Sequence, residues 1–340
     1  MIQSGSLLLA ALAAAWLFTG LIRRYALRSN MIDVPNQRSS HTLPTPRGGG
    51  MAIVVVFLVS LGALFALDVL TPKQSWALFG AGAWVAVVGF LDDHRHIPAG
   101  WRLLAHFIGA GWGLYWLGGF PPLPLFGQLV ALGWIGHVFG LFYLVWLLNL
   151  YNFMDGIDGI AGIEAITVCL GGVLLFLLSG NQSVWLEPAL LAAAAAGFLL
   201  WNFPPAKIFM GDAGSGFLGI VLGLISLQAA WLNPNLFWSW LCLLGVFIVD
   251  ATLTLLQRFR RGEKLHEAHR SHAYQFAARR FGSHRPVTLF VGAVNLFWLL
   301  PLAISIGLGM LNGILGVALA YLPLLLTALK FNAGGTEERG

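Results

Sequence analysis

Charge is scarce in this sequence. Only 10% of its 340 residues are Asp, Glu, Lys or Arg, against roughly 25% in an ordinary soluble domain. So few charges cannot cover the surface of a soluble fold of this length, which excludes a water-soluble protein. Cysteine is scarce as well. Cys169 and Cys242 are the only two, and both sit inside apolar runs, which leaves no disulfide framework and no CxxC metal spacing. Both read as small core residues. The chain has no polar low-complexity tract and no Gly-X-Y repeat, so disorder and collagen are excluded. What it has instead is apolar sequence, 58% of the total, with a mean hydropathy of +0.79. The apolar runs are continuous, whereas a membrane β-barrel needs alternation. The expected fold class is therefore an all-α polytopic integral membrane protein, with residues 1–340 forming one membrane domain.

A spanning helix needs about 20 mostly apolar residues. Eleven runs meet this need: 6–27, 50–70, 75–91, 102–118, 137–152, 160–179, 187–202, 214–231, 236–257, 287–308 and 310–329. Residues 119–136 carry Pro121, Pro122 and Pro124 with four glycines, a pattern that suits a small hairpin outside the bilayer. Arg23, Arg24 and Arg28 follow the first run rather than precede it, so it is not a cleaved signal peptide and the N-terminus is expected outside. Eleven crossings then put the C-terminus in the cytoplasm. The formal net charge is +5, and in this arrangement all but Lys73 of the 19 Lys and Arg residues fall on the cytoplasmic side, as the positive-inside rule demands.

The chemistry-bearing residues share that side. The cytoplasmic connections hold HTLPTPRGGG (41–50), DDHRH (92–96), NFMDGIDG (152–159), NFPPAKIFMGDAGSG (202–216) and a basic loop, 258–286. Asp92, Asp93, Asp155, Asp158 and Asp212 each stand at or near the mouth of an apolar run. Carboxylates in such places are costly unless they are paired or bind a cation. A hard divalent ion with oxygen ligands, above all Mg2+, is the natural partner. The glycines in 156–159, 211–216 and 48–50 have two readings, a cradle where phosphate meets backbone N–H groups at a helix start, or tight helix packing. No Walker A loop is present. His106 and His137 read as satisfied residues of apolar runs. His269 and His272 have helical i, i+3 spacing beside Arg270, which suits anion binding better than zinc. Asp250, inside the ninth run, is either a functional carboxylate or the partner of a basic neighbour.

In this order the motifs PTPRGGG, FLDDHRH, NFMDGIDG and NFPPAKIFMGDAGSG, followed by a His-bearing basic loop, cover roughly residues 30–285. The chain thereby resembles the polyprenyl-phosphate N-acetylhexosamine-1-phosphate transferases (glycosyltransferase family 4). That family includes translocase I of peptidoglycan synthesis and the WecA/WbpL-type initiators of O-antigen synthesis, and the eleven runs suit the O-antigen branch. The resemblance implies residue roles. Asp92 and Asp93 match paired aspartates near the metal and the lipid phosphate. Asn152, Asp155 and Asp158 match an N-x-x-D-x-x-D signature, with Asp155 near the catalytic centre and Asp158 toward the uracil. Asn202 pairs with Asp212, the metal ligand beside Asp92, and Phe209 stands against the uracil ring. His41 and Arg47 face phosphates, and His269, Arg270 and His272 belong to the substrate-binding loop. Mg2+ is the implied cofactor, with Mn2+ as an alternative. The implied partners are a UDP-sugar, undecaprenyl phosphate, the bilayer and, as an open option, a second copy in a homodimer, but no nucleic acid. The implied location is the bacterial inner membrane, with the N-terminus periplasmic.

Translocase I has consecutive histidines where this chain reads His269-Arg270-Ser271-His272. A smaller donor sugar than muramyl-pentapeptide is therefore expected: N-acetylglucosamine, or 6-deoxy N-acetylfucosamine or N-acetylquinovosamine, chosen by the 258–286 loop. The reaction expected is attack of the lipid phosphate on the β-phosphorus with loss of UMP, in which Asp92 or Asp93 orients or deprotonates the lipid phosphate. A translocase I activity is the near alternative. A secondary transporter is the rival from another class, but it needs midplane charges and an internal repeat, and neither is evident in the sequence.

Overall fold

The computed structural model describes residues 2–35, 43–95, 97–125, 127–180, 184–264 and 269–335. The chain enters through α1 (Ile2–Arg28), pairs β1 (Ile32–Asp33) with β2 (Thr45–Pro46), and continues through α2 (Met51–Ala66), α3 (Pro72–His94) and α4 (Ala99–Leu117). The proline-rich segment forms the small hairpin that its composition suggests, β3 (Leu123–Leu125) antiparallel to β4 (Gln128–Val130). Then come α5 (Gly133–Met154), α6 (Ile160–Leu178), α7 (Leu186–Asn202), α8 (Asp212–Leu232), α9 (Asn235–Leu243) and α10 (Gly245–Arg260). The last elements are α11 (Ala273–Phe281), α12 (His284–Val294), a π-helical turn at Asn295–Leu299, α13 (Leu300–Gly307) and α14 (Gly313–Lys330).

Each of the eleven apolar runs falls on a helix or on consecutive helices, but not every one is built to span. Among the described residues seven helical segments are long and apolar enough to cross a membrane: α1, α3, α5, α6, α8, α12 through α13, and α14. The pair α9 and α10, bent by 71°, makes an eighth if taken as one crossing. The expected count of eleven is thus not reached by this measure. The shortfall has a physical cause. With 16 and 17 residues, α2 and α7 reach about 24–26 Å, short of a hydrocarbon core of about 30 Å. α4 has 19 residues, but Arg102 and His106 lie in its first half.

α8 is the central post of the molecule. It is buried on every side, as an all-round apolar helix must be, and packs mainly against α3 and α5. Gly219 makes the second contact close. A Cβ there would stand 2.6 Å from the Leu148 Cα, so the two backbones meet directly. Some buried polar side chains inside the bundle pair with one another, where lipid offers no partner. Gln228 Nε2 donates to Glu187 Oε1 (3.0 Å), and Asn295 Nδ2 donates to Glu164 Oε2 and Thr167 Oγ1 (2.7 Å each). Cys169 and Cys242 are free and buried, as read from their apolar settings.

Candidate active site

The polar connections meet at one end of the bundle, around a cavity of about 310 Å³. α3 brings Asp93 to it. The end of α5 brings Asn152 and Asp155, the turn into α6 brings Asp158, and the start of α8 brings Asp212. Arg47, Asn202 and Phe209 complete the expected residues in the wall.

Asp93 is buried, and its carboxylate accepts from the Asp212 N–H (3.2 Å) and the Ala213 N–H (3.3 Å). It therefore caps α8 from a neighbouring helix, where the partial positive charge of the helix start favours an anion. The Gly214 and Ser215 N–H groups bond back to the Gly211 carbonyl. All four leading N–H groups of α8 are thus committed, and the phosphate-cradle reading of this glycine cluster does not hold. The same applies at the other two clusters. Gly49 and Gly50 N–H donate to the Phe209 and Met210 carbonyls (2.9 Å each), and Gly159 N–H donates to Asn202 Oδ1 (2.9 Å). Gly49 and Gly50 dock backbone on backbone, and Gly159 docks on the Asn202 side chain. Gly211 is the sharpest case, since its φ of +80° excludes ordinary side chains and a Cβ would stand 2.8 Å from Asp93 Oδ2.

Asn202 uses both ends of its amide as a staple, with Oδ1 on the Gly159 N–H and Nδ2 on the Ile208 carbonyl (2.9 Å). Asp158 Oδ2 accepts from the Ala206 N–H (2.9 Å), and Asp158 Oδ1 lies 3.2 Å from His284 Nδ1. Asp155 is different. Burial, then the nearby charges of Asp212, Asp93 and Asp158, hold its carboxyl well above the usual carboxylate range. With Asp33, five acids line this one space, crowded enough to want a counter-cation.

Asp92 does not line the cavity. It is the next residue to Asp93 on α3 and so points to a different side of the helix, where its oxygens are taken by the Arg102 guanidinium and the Ile97 N–H (2.7 Å). Arg102 also reaches to 3.6 Å from Asp212 Oδ2, so it ties the two carboxylates together. His269, Arg270 and His272 stand outside the cavity wall as well. His272 is buried with its Nδ1 3.3 Å from Asp250 Oδ1, and His269 Nδ1 lies 3.0 Å from Ser271 Oγ. The Asp250 carboxylate accepts from the Ala273 and Tyr274 N–H groups (3.0 and 2.9 Å). Asp250 therefore anchors the start of α11 and takes a basic neighbour, the second of its two readings. His41 lies outside the described residues.

The cavity wall also holds residues that the sequence reading passed over: Asp33, Gln275 and His284. Asp33 and Gln275 carry no motif signal. Arg102 was detectable as a lone charge within an apolar run, a functional candidate by default. Beside the first cavity lies a second of about 600 Å³, sharing Asp158, Phe209, Gln275 and His284 and adding Arg279 and Arg285.

The donor set decides which ions fit. Among the described residues no three His, Cys, Asp or Glu side chains group closely enough to hold a metal by themselves. The cavity presents carboxylate oxygens, which suits a hard ion held by one or two carboxylates and completed by water and ligand oxygens, as Mg2+ is.

Residues 75–230 match the family model described as Glycosyl transferase family 4. A decaprenyl-phosphate N-acetylglucosaminephosphotransferase of Mycobacterium tuberculosis is 30% identical over 331 residues, covering 83% of this chain and 78% of that protein. The chain belongs to the polyprenyl-phosphate N-acetylhexosamine-1-phosphate transferases. A probable undecaprenyl-phosphate N-acetylglucosaminyl 1-phosphate transferase of Bacillus subtilis is similar at 29% identity over 288 residues, with 83% of this chain and 79% of that protein covered. A phospho-N-acetylmuramoyl-pentapeptide-transferase of Synechococcus is 31% identical over 279 residues, but covers 74% of this chain and 72% of its own. Membership in this family agrees with an all-α membrane protein whose ionisable groups meet at one end of the bundle.

Proposed function

We propose that this chain transfers an N-acetylhexosamine 1-phosphate from a UDP-sugar to undecaprenyl phosphate and releases UMP. The observation that carries this reading is the convergence of Asp93, Asp155, Asp158 and Asp212 with Arg47 on one cavity at the ends of apolar helices. An acceptor with a membrane-soluble tail and a phosphate head would present its head at this level. The acids stand at one end of the bundle and not midway along it, which disfavours a transporter.

In the proposed step an oxygen of the lipid phosphate attacks the β-phosphorus of the UDP-sugar. The bond from the β-phosphorus to the bridging oxygen breaks, and its electron pair leaves with UMP. The protein's work is to align two anions and offset their charge. Arg47, fixed by donating to the Asp93 carbonyl, presents a cation to the cavity. Asp93 and Gly211 fix the start of α8 and with it Asp212. Asp155 and Asp212 are the residues that would hold Mg2+, which when bound would neutralise diphosphate oxygens. Mn2+ has a similar preference for oxygen ligands. Asp92, whose side chain contacts Asp212 directly and through Arg102, would support the ion beside Asp212.

The donor sugar is N-acetylglucosamine or a 6-deoxy relative, N-acetylfucosamine or N-acetylquinovosamine, and the lipid-linked product starts an O-antigen or related envelope polysaccharide. The relatives named for N-acetylglucosamine cover more of this chain than the muramoyl-pentapeptide enzyme does, which favours the smaller sugar. Within 258–286 the contacts that choose the sugar shift from 269–272 to Gln275, His284 and Arg285, which line the second cavity. In this reading all eleven helical runs cross or enter the inner membrane, the N-terminus is periplasmic, and the C-terminus and the cavity are cytoplasmic. The test is UMP release by the purified protein with Mg2+, undecaprenyl phosphate and a panel of UDP-sugars. Turnover with a UDP-N-acetylhexosamine supports the proposal. No release with any of them, or release only with UDP-muramyl-pentapeptide, overturns it.

A further inference from the structure

α11 is a short helix with three different faces. One, through Gln275, lines the cavities already described. Another packs Ala273, Tyr274 and Ala277 onto a shallow, mostly apolar groove of about 80 Å³ between α10, α12 and α14, whose walls include Val249, Asp250, Phe290, Val291 and Thr327. The third carries Phe276, Arg279 and Arg280 into an open pocket of about 670 Å³, completed by Arg270 and by Lys330 at the end of α14. This basic pocket and the apolar groove meet at Phe331, which lines both. Neither shares a lining residue with the 310 Å³ cavity, and Arg279 is the one residue that the basic pocket shares with the 600 Å³ cavity.

The basic pocket is built. The Arg279 guanidinium lies 4.4 Å from the Phe276 ring centroid and donates twice to the Arg270 carbonyl (3.2 Å each). Gly334 N–H donates to the Ser271 carbonyl (2.6 Å), which ties the end of α14 to the same corner. Arg280 and Lys330 join Arg270 and Arg279 in its lining. Beside it the surface turns apolar. Phe281 is 57% exposed, Phe290 56% and Leu329 47%, as residues that face acyl chains are.

We propose that this corner binds an acidic phospholipid as a resident ligand. Its phosphate sits against Arg280 and Lys330, with Arg270 and Arg279 framing the pocket, and one acyl chain starts along the groove of α10, α12 and α14. The charge selects an anionic headgroup, and the abutting groove selects a lipid over a free phosphate. The lipid is not the reacting one, because the pocket lies apart from Asp93, Asp155 and Asp212. Bound there, it would brace α11, whose opposite face lines the cavities.

The experiment reads binding and not turnover, so it stands apart from the proposed reaction. Protein is reconstituted in nanodiscs of phosphatidylcholine with an equal share of phosphatidylglycerol, released into detergent, and examined by native mass spectrometry for retained lipid. The parent should retain one phosphatidylglycerol in preference to phosphatidylcholine. In the double variant Arg280→Gln/Lys330→Gln that retention should weaken about 25-fold, each near-surface cation contributing on the order of fivefold. The control Arg24→Gln/Arg28→Gln removes two exposed cations from α1 and should leave retention unchanged. Glycerol phosphate, the headgroup without chains, should compete poorly. Equal losses in the two double variants would reduce the effect to general surface charge and overturn the site. Full competition by glycerol phosphate, or displacement by a short-chain polyprenyl phosphate as readily as by phosphatidylglycerol, would also overturn it.

Discussion

Gly211→Ala is the smallest change that should disable the proposed site. Gly211 sits at φ +80° and ψ 167°, a region open essentially to glycine alone, where another residue costs about 1–3 kcal/mol. Its new methyl would also stand 2.8 Å from Asp93 Oδ2 and 3.2 Å from the Gly48 backbone nitrogen. Neither neighbour can yield freely. Gly48 lies next to the segment whose backbone is bonded to Phe209 and Met210, and Asp93 holds two N–H groups of α8. Hydrogen bonds to a charged group contribute about 1.5–3 kcal/mol each, so displacing Asp93 adds a cost comparable to the strain. If about 3 kcal/mol of this total falls on the placement of Asp212, kcat drops roughly 10²-fold. The assay is UMP release with saturating substrates, with thermal inactivation measured alongside. Gly62→Ala is the control: it lies within α2, where the added methyl would meet no atom within 4 Å, and should leave both readouts unchanged. A Gly211→Ala enzyme with kcat within about threefold of the parent, under ~1 kcal/mol, would refute the reasoning.

Other outcomes follow from the same geometry. Asp212→Asn keeps size and removes charge, and should lower the rate about 10²-fold or more as a lost metal-holding carboxylate does; near-normal UMP release at limiting Mg2+ would reject that role. Glu263 accepts from Arg261 and Arg258, which hold its carboxyl below the ordinary value of 4.5. A lowered acid contributes stability above its unfolded value that is lost as pH falls through the folded one, so Glu263→Gln should flatten the decline of thermal stability below pH 4.5. An equally steep decline in the variant would count against this pairing. A reporter fused after Lys330 should read cytoplasmic and one placed within 180–186 periplasmic; the reverse pair of signals would overturn the proposed orientation.

Much of the fold was legible because membrane insertion is a local property. An apolar run of sufficient length becomes a helix wherever it occurs, since lipid leaves its backbone no other partner. All eleven runs are helical for that reason, and the Pro-Gly segment at 119–136 turns back as a hairpin for a similarly local one. How many runs cross was less legible. α2 and α7 are short and α9 and α10 bend, and neighbouring helices, not hydropathy, set how deep such segments reach. The acids of the site were visible as charges beside apolar sequence, where an idle carboxylate is expensive.

What each of those residues does was decided only by the fold. Asp92 and Asp93 are adjacent in sequence, but successive residues on a helix point about 100° apart. One therefore meets Arg102 and the Asp212 side chain, while the other accepts from the backbone N–H groups at the start of α8. The glycine clusters suggested open N–H groups, yet several of those groups were already spoken for, some by partners more than a hundred residues away, such as Phe209 for Gly49 and Asp93 for Asp212. His272 sits in the conspicuous basic loop but turns inward to Asp250, while His284, without a motif to mark it, faces the cavity. Sequence by itself determined which residue types gather at this end of the membrane, because transfer cost is a property of each side chain and its neighbours along the chain. Only the tertiary structure decided which of them are spent on holding the backbone and which remain turned toward a ligand, because that depends on hydrogen-bond partners brought together from distant parts of the chain.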